Sequence, residues 1–468
     1  MKPLSQKLSS ASVVALFAAF FFVSFVAIAV SPKVHIYDEI YYYQYVTDLN
    51  EKGLNVVYVR ELIAPTGPLY GFIHAGISWF TGLSLVPMRL ATNVMFALAG
   101  IVVGCALWIT RSENFWSAPA LAYAVPFAGV ATGLALTEVP ALLAASAGVA
   151  TLVGGLALIE RNKTGAGSLP GSTPLAAYLL FVLAAVLFAA SVWGRQNYLA
   201  ALIALPLLFL TDSRFLWRPW LLVTGIATGL SAVLFVIWNG LVPEAVRFVS
   251  DGSKADQKAD VFFGLNIGYG VLSLGYAAAL FGVLAPGLFC RRLSVLVSCF
   301  IAAVLAAVVL PSLRFLPSYD ALGPVLGHVL KPLAMVFFGA LLAFFGFWLL
   351  VSVGLRCWER IKQEERSILS RDEVHGKKGG RTRFLSAIAA SSLSTRFYLF
   401  GAAAWLLILG TNMKIGHQFS SRYVVVALPF ILITAAHHFR STPLAAARLT
   451  VGFVASMAFL AKKYDWWG

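Results

Sequence analysis

Long apolar runs broken by short polar stretches set the layout of the chain. The runs cover residues 11–30, 85–110, 116–131, 134–159, 173–192, 198–210, 219–238, 261–289, 293–309, 331–355, 397–410, 423–436 and 449–460. An α-helix crosses a bilayer in roughly 20 residues, whereas the strands of a membrane barrel would alternate over about 10. In lipid each backbone polar group must find its partner within the protein, so continuous apolar runs become helices. The pattern predicts an all-α integral membrane protein with about 13 transmembrane helices. Thr132-Gly133 reads as the tight bend between the third run and the fourth.

The polar exception is residues 35–70, inside a first outer loop over 31–84. Adjacent carboxylates, Asp38 and Glu39, open it among Tyr37, Tyr41, Tyr42, Tyr43 and Tyr45. The spacing predicts an amphipathic helix over 37–52, with Gly53 as its C-cap. The turn Pro65-Thr66-Gly67-Pro68 should start a second interfacial helix over 68–80, because proline in a first turn forfeits no hydrogen bond. Gly82 should end it.

Composition supports the membrane reading. Of 468 residues, 60% are hydrophobic and 12% charged, with mean hydropathy +0.83. A soluble protein of this size needs more polar residues to cover its surface. One transmembrane unit over 1–468 is expected, with no separate soluble catalytic domain. The net charge of +15 gathers in short loops, as the positive-inside rule requires, and does not point to nucleic acid. That rule puts the N-terminus in the cytoplasm, with residues 11–30 as a signal anchor. Ala27-Ile28-Ala29 resembles a cleavage site, but the run is longer than a signal peptide's. The basic segment 356–396 is expected on the cytoplasmic side, against anionic membrane lipids. Lys462-Lys463 departs from the rule. Cys105, Cys290, Cys299 and Cys357 lie in or at the ends of apolar runs without a CxxC pair and read as small core residues. Walker and Rossmann glycine patterns are absent from the sequence, and His437-His438 falls on the opposite side from the acids.

Candidate chemistry starts at the carboxylate pair. Neighbours on a helix face different ways, so one acid can face a cavity while the other braces the structure or binds an arginine. Asp38 shares a face with Tyr41, Tyr42 and Tyr45, a surface on which a sugar ring or polyprenyl group can stack. The alternative is an interfacial helix with an aromatic belt and solvated acids. Glu138 lies in an apolar region, Arg195 at one outer turn, and Lys414, His417 and Arg422 at another. Charges at membrane depth normally face a cavity or a partner. Arg89, Lys254 and Lys258 are expected to snorkel. Under this topology Asp38, Glu138, Arg195 and Arg422 share one side, which points to a single outward-facing site.

Three motifs then resemble the GT-C class of polyprenyl-phosphate-sugar glycosyltransferases: Tyr37-Asp38-Glu39-Ile40, Gly67-Pro68-Leu69-Tyr70 and Met88-Arg89-Leu90. Leu136-Thr137-Glu138 and Ser421-Arg422-Tyr423 with Pro429 look like further landmarks of that class. A narrower resemblance, to the dolichyl-phosphate-glucose α-1,2-glucosyltransferases, rests on Asp38-Glu39-Ile40 with Gln44, on Thr66–Tyr70 and on Arg195-Gln196-Asn197. Where that family has a histidine-containing later loop, this chain has Asp251-Gly252-Ser253-Lys254.

The resemblance implies inverting transfer from a polyprenyl-phosphate-linked sugar donor to a glycan, lipid or protein acceptor on the extracytoplasmic face. Asp38 would be the general base, with Glu39 as positioner or alternate base. Arg195, Lys414 and Arg422 would hold the donor phosphate. Tyr41, Tyr42, Gln44, Tyr70, Glu138, Gln196 and Asn197 would bind substrate or organise the site. Phosphate leaves without protonation, so neither a general acid nor a divalent metal is required and no cofactor is called for. Two other readings stay open: a lipid or solute transporter without covalent chemistry, and a polymer ligase using a lipid-diphosphate donor.

Overall fold

The computed structural model describes residues 9–36, 38–64, 66–112, 114–164, 175–211, 214–243, 265–310, 313, 319–374, 388, 391–414 and 422–466. Tyr37, Pro65, Lys254, Lys258, the 251–254 segment and His417 lie outside the described residues.

The first apolar run forms α1 (Ser10–Ala29), capped by the Ser9 hydroxyl. The outer loop follows as α2 (Glu39–Lys52), α3 (Val56–Arg60), α4 (Leu69–Gly76) and α5 (Ser78–Thr81). Gly53 and Gly82 end α2 and α5 at positive φ, a conformation that suits glycine. The helix expected over 68–80 is thus split at Ile77. The short α3 was not anticipated; the Asn55 side chain caps it, accepting from the Tyr58 N–H at 2.7 Å.

The long helices come next. They begin with α6 (Leu85–Ile109). The run at 116–131 is interrupted near Pro126, giving α7 (Ala118–Tyr123) and α8 (Ala128–Gly133). Then come α9 (Glu138–Thr164) and α10 (Leu175–Gly194). The run at 198–210 is likewise divided, at Pro206, into α11 (Leu199–Ala204) and α12 (Pro206–Phe209). A two-residue antiparallel pair, Leu210–Thr211 with Arg214–Phe215, closes that segment. The remainder are α13 (Trp217–Trp238), α14 (Ile267–Leu284), α15 (Leu293–Val309), α16 (Tyr319–Val374), α17 (Leu393–Thr411), α18 (Arg422–Val425), α19 (Leu428–His438) and α20 (Pro443–Lys463).

Among the described residues nine helices are long and apolar enough to cross a membrane; three further apolar helices are shorter. Large apolar side chains on several of them face outward, among them Phe22, Leu179, Val236, Phe300, Phe337 and Val451. Water does not tolerate apolar surface this extensive, and lipid covers it. The chain is an integral, multi-pass, all-α membrane protein.

One boundary differs from expectation. The run at 331–355 was expected to end at the basic segment 356–396, yet α16 is one helix of 56 residues that begins before that run and continues into the basic segment. Its basic part stays helical because Arg, Lys, Glu and Gln are good helix formers and here pair along the helix, as Arg356 does with Glu359 at 2.8 Å. Charge marks the edge of the lipid without marking the end of a helix.

Small residues bring the helices close. Gly155 of α9 admits the Phe181 ring of α10, and a Cβ there would stand 2.6 Å from it. Polar side chains collect at two ends of α9, which rises roughly 33 Å between Glu138 and Glu160 at about 1.5 Å per residue. At the Glu160 end, Arg396 pairs with Glu160 and donates to the Leu208 carbonyl at 2.8 Å. There too Arg360 lies over the Tyr398 ring, 4.2 Å from its centroid. The outer loop packs over the Glu138 end with a small core of its own, including Tyr42, Tyr45, Tyr58, Tyr70, Met88 and Trp238. Trp238 fastens it to α13 by donating to the Val59 carbonyl at 2.7 Å.

Candidate active site

The two carboxylates at the start of α2 have different fates. Glu39 is buried and meets Arg89 of α6 side-on, with contacts of 2.8 and 2.6 Å. Its oxygens also accept the Ile36 and Ala135 N–H groups, each at 2.8 Å. Arg89 uses its other N–H groups on Ser31 and on the Pro32 and Val34 carbonyls. The ring of Tyr464, just past the last helix, lies 5.3 Å from the guanidinium. The Arg89 side chain is 0% exposed. It does not snorkel as expected, because Glu39 and three backbone or hydroxyl acceptors satisfy it within the protein. The arrangement ties α1, α2, α6 and the segment before α9 together.

Asp38 faces the other way. Its Oδ2 accepts from Arg422 Nη2 at 2.6 Å, and its side chain is 34% exposed. Arg422 Nε stands 3.7 Å from Glu138 Oε1, which also pairs with Arg195. Four charged groups from distant parts of the sequence therefore form one chain: Asp38, Arg422, Glu138, Arg195.

Local structure explains how they meet. Glu138 is the first residue of α9, after an extended stretch from Leu134. Arg195 follows the last residue of α10 in an extended conformation, its N–H bonded to Ser191 at 2.8 Å. The outer-loop turn seats that junction. A Cβ on Gly67 would stand 1.8 Å from the Trp193 carbonyl oxygen, and one on Gly194 2.6 Å from Ala141 Cβ. Only bare backbone lets the turn, α10 and α9 approach this closely. Asn197 reaches α17, donating to Thr411 Oγ1 at 2.5 Å.

Charge and burial act together in the cluster. Burial alone would lower the affinity of Arg422 for its proton, but Glu138, then Tyr42 and Asp38, outweigh it and hold the group above its ordinary value. Arg195 follows the same balance, with Glu138 as the main opposing influence. The Tyr42 phenol is pushed up by burial, within electrostatic reach of all four charges. Glu138 Oε2, Arg195 Nε, Arg422 Nε and Gln196 Nε2 are buried without a hydrogen-bond partner. Buried polar atoms are seldom left this way, and here both donors and acceptors are unused at one place.

The other candidates lie as follows. Tyr42 and Tyr70 are buried with ring centroids 5.7 Å apart, Tyr70 on the Glu39–Arg89 side. Tyr41 is exposed. Gln44 is turned away from the cluster and lines a cleft with Asp48, Lys52, Tyr58 and Glu61. Lys414 is exposed at the end of the turn after α17. The expected shared face of Asp38, Tyr41, Tyr42 and Tyr45 is divided, because Tyr42 and Tyr45 enter the loop's core and Tyr41 does not.

His74 was not anticipated. Its ring lies tilted against Tyr70, centroids 4.3 Å apart, with both ring nitrogens buried and without a hydrogen-bond partner. Burial lowers its pKa from 6.5 to about 4. The unfolded chain therefore takes up a proton below pH 6.5 that the folded chain refuses. Stability should fall by roughly 2 kcal/mol between pH 7 and 5 from this residue. Unfolding midpoints of wild type and His74→Phe over that range check this, since the variant should lose that part of the slope.

No family model matches the chain, and no curated protein matches it. Two solved structures are similar over most of its length: crystal structures of ArnT from Cupriavidus metallidurans, one apo and one bound to undecaprenyl phosphate. Identity is 16% and 14%, covering 97% and 98% of this chain and 78% of the other in both cases. The TM-score is 0.38 for each, a value that by itself fixes neither fold family nor activity.

Proposed function

We propose that the chain is a membrane glycosyltransferase of the GT-C type, moving a sugar from a polyprenyl-phosphate donor to an acceptor hydroxyl with inversion. The observation that carries this reading is a partly exposed carboxylate, Asp38, paired with Arg422, which shares the buried Glu138 with Arg195. The three motifs of the sequence resemblance supply its residues: Asp38 and Glu39 stand in the first, Tyr70 in the second, Arg89 in the third.

The chemistry fits such a site. The acceptor oxygen attacks the anomeric carbon from the face opposite the phosphate. Its proton passes to the Asp38 carboxylate as the new C–O bond forms. The bond from the anomeric carbon to the phosphate oxygen breaks, and the electron pair leaves with polyprenyl phosphate. Arg195 and Arg422 stabilise the charge that grows there. Glu138 holds both arginines, and Glu39 fixes the start of α2 through Arg89. The basic stretch from Arg356 belongs to the cytoplasmic side by the positive-inside rule, which leaves the Asp38 end extracytoplasmic. Anionic lipids would lie against that basic stretch.

The test is a panel of labelled polyprenyl-phosphate sugars given to the reconstituted protein. Transfer of label with release of polyprenyl phosphate supports the proposal. Movement of intact donor across the bilayer without its consumption would make the protein a transporter. Arg195→Gln should lower kcat/KM by about tenfold to a hundredfold, because one donor to the leaving phosphate is lost.

A further inference from the structure

The four clustered side chains, Asp38 and Glu138 with Arg195 and Arg422, sum to zero formal charge. A balanced cluster gives an incoming anion no free cation. A phosphate can gain an arginine there only by taking it from a carboxylate. The two carboxylates are not equally able to yield. Glu138 is 0% exposed, pairs with Arg195 and stands 3.7 Å from Arg422. Among the described residues Asp38 has one ion-pair contact, to Arg422, at the exposed edge of the cluster. Arg422 Nε is buried without a hydrogen bond, on the Glu138 side of the guanidinium, 3.7 Å from Oε1. Exposed pairs yield readily, and buried ones do not.

We propose that the donor's phosphate displaces the Asp38 carboxylate from Arg422, so that donor binding itself frees the base. The inference rests on the functional reading above and adds an order of events. In the empty site Asp38 Oδ2 accepts a guanidinium N–H. Once phosphate occupies Arg422, that oxygen is released towards the exposed side, where an acceptor hydroxyl can reach it. The acceptor is engaged after the donor. Water meeting the empty site meets a carboxylate that is already occupied.

The test measures farnesyl phosphate binding to the full chain in zwitterionic nanodiscs. Four forms are compared: wild type, Asp38→Asn, Arg422→Ala and the double variant, with unfolding midpoints recorded for each. Asp38→Asn removes the competing charge and keeps the shape. It should bind farnesyl phosphate about tenfold more tightly, or ~1.4 kcal/mol. The gain should vanish in the Arg422→Ala background, which makes the coupling specific to that pair. An equal gain in both backgrounds would reflect only the missing negative charge and overturns the proposal. So does the absence of any gain in the presence of Arg422. Asp38→Ser repeats the comparison if the asparagine variant is unstable. Phosphatidylglycerol, which lacks a phosphate monoester, should show no dependence on residue 38, and an equal gain with it also overturns the proposal. Wild type that binds no farnesyl phosphate would overturn the functional reading together with this inference. Binding without the gain would overturn this inference alone.

Discussion

Asp38→Asn is expected to reduce sugar transfer by about 10³-fold while leaving the protein folded. The amide has the shape of the carboxylate and cannot take the acceptor's proton. General-base catalysis is worth roughly 10² to 10⁴ in rate, and no other carboxylate of the cluster stands open to a hydroxyl. Glu138 is sealed beneath the arginines, and Glu39 is fully engaged with Arg89 and two backbone N–H groups. The single Asp38–Arg422 contact is partly exposed, so its loss should cost at most about 1 kcal/mol of stability. Kinetics with labelled donor and a thermal melt of the same preparation separate the two effects. A variant that melts like wild type and still transfers sugar within a few-fold of it would remove Asp38 from the chemistry. Tighter donor binding together with lost turnover would be the signature of a base that also competes for the phosphate's arginine.

The sequence made some of this legible for physical reasons, and hid the rest for equally physical ones. Bilayer thickness imposes a length, so all the apolar runs could be seen, including the two that proline divides at Pro126 and Pro206. Hydropathy says nothing about where a charged helix stops, which is why α16 runs through a boundary drawn at Arg356. Charges in an apolar context are costly, so Glu138, Arg195 and Arg422 stood out, and the structure brings them to Asp38. The same cost argument applied to Arg89, inside an otherwise uncharged helix. Its partner lies 50 residues away, and spacing along a helix cannot reveal a contact of that range. Helical geometry showed that Asp38 and Glu39 must part; it could not say which would face the arginine of α6. His74 left no signal, because a buried neutral histidine looks the same in sequence as an exposed one.

The Glu39–Arg89 pair should carry stability in the way Asp38 carries rate. Both side chains are 0% exposed. Removing one partner of a buried pair leaves the other's charge uncompensated, which costs about 3–5 kcal/mol. Glu39→Leu should reach that range, because it also strands the Ile36 and Ala135 N–H groups. Glu39→Gln should cost less, since the amide oxygen can still accept. Replacing both partners with apolar residues, Glu39→Leu with Arg89→Met, should recover part of the loss, because no charge then remains buried. The melts must be read beside the kinetics. If Glu39 acts only through position, activity in each variant should follow the folded fraction, and the double replacement should regain activity along with stability. If Glu39→Gln instead melted like wild type but lost transfer as severely as Asp38→Asn, the alternate-base role would pass to Glu39. The six contacts of 2.6–2.8 Å that fill its oxygens and the fork of Arg89 argue for the first outcome. A carboxylate with both oxygens occupied by buried donors has none to offer a substrate.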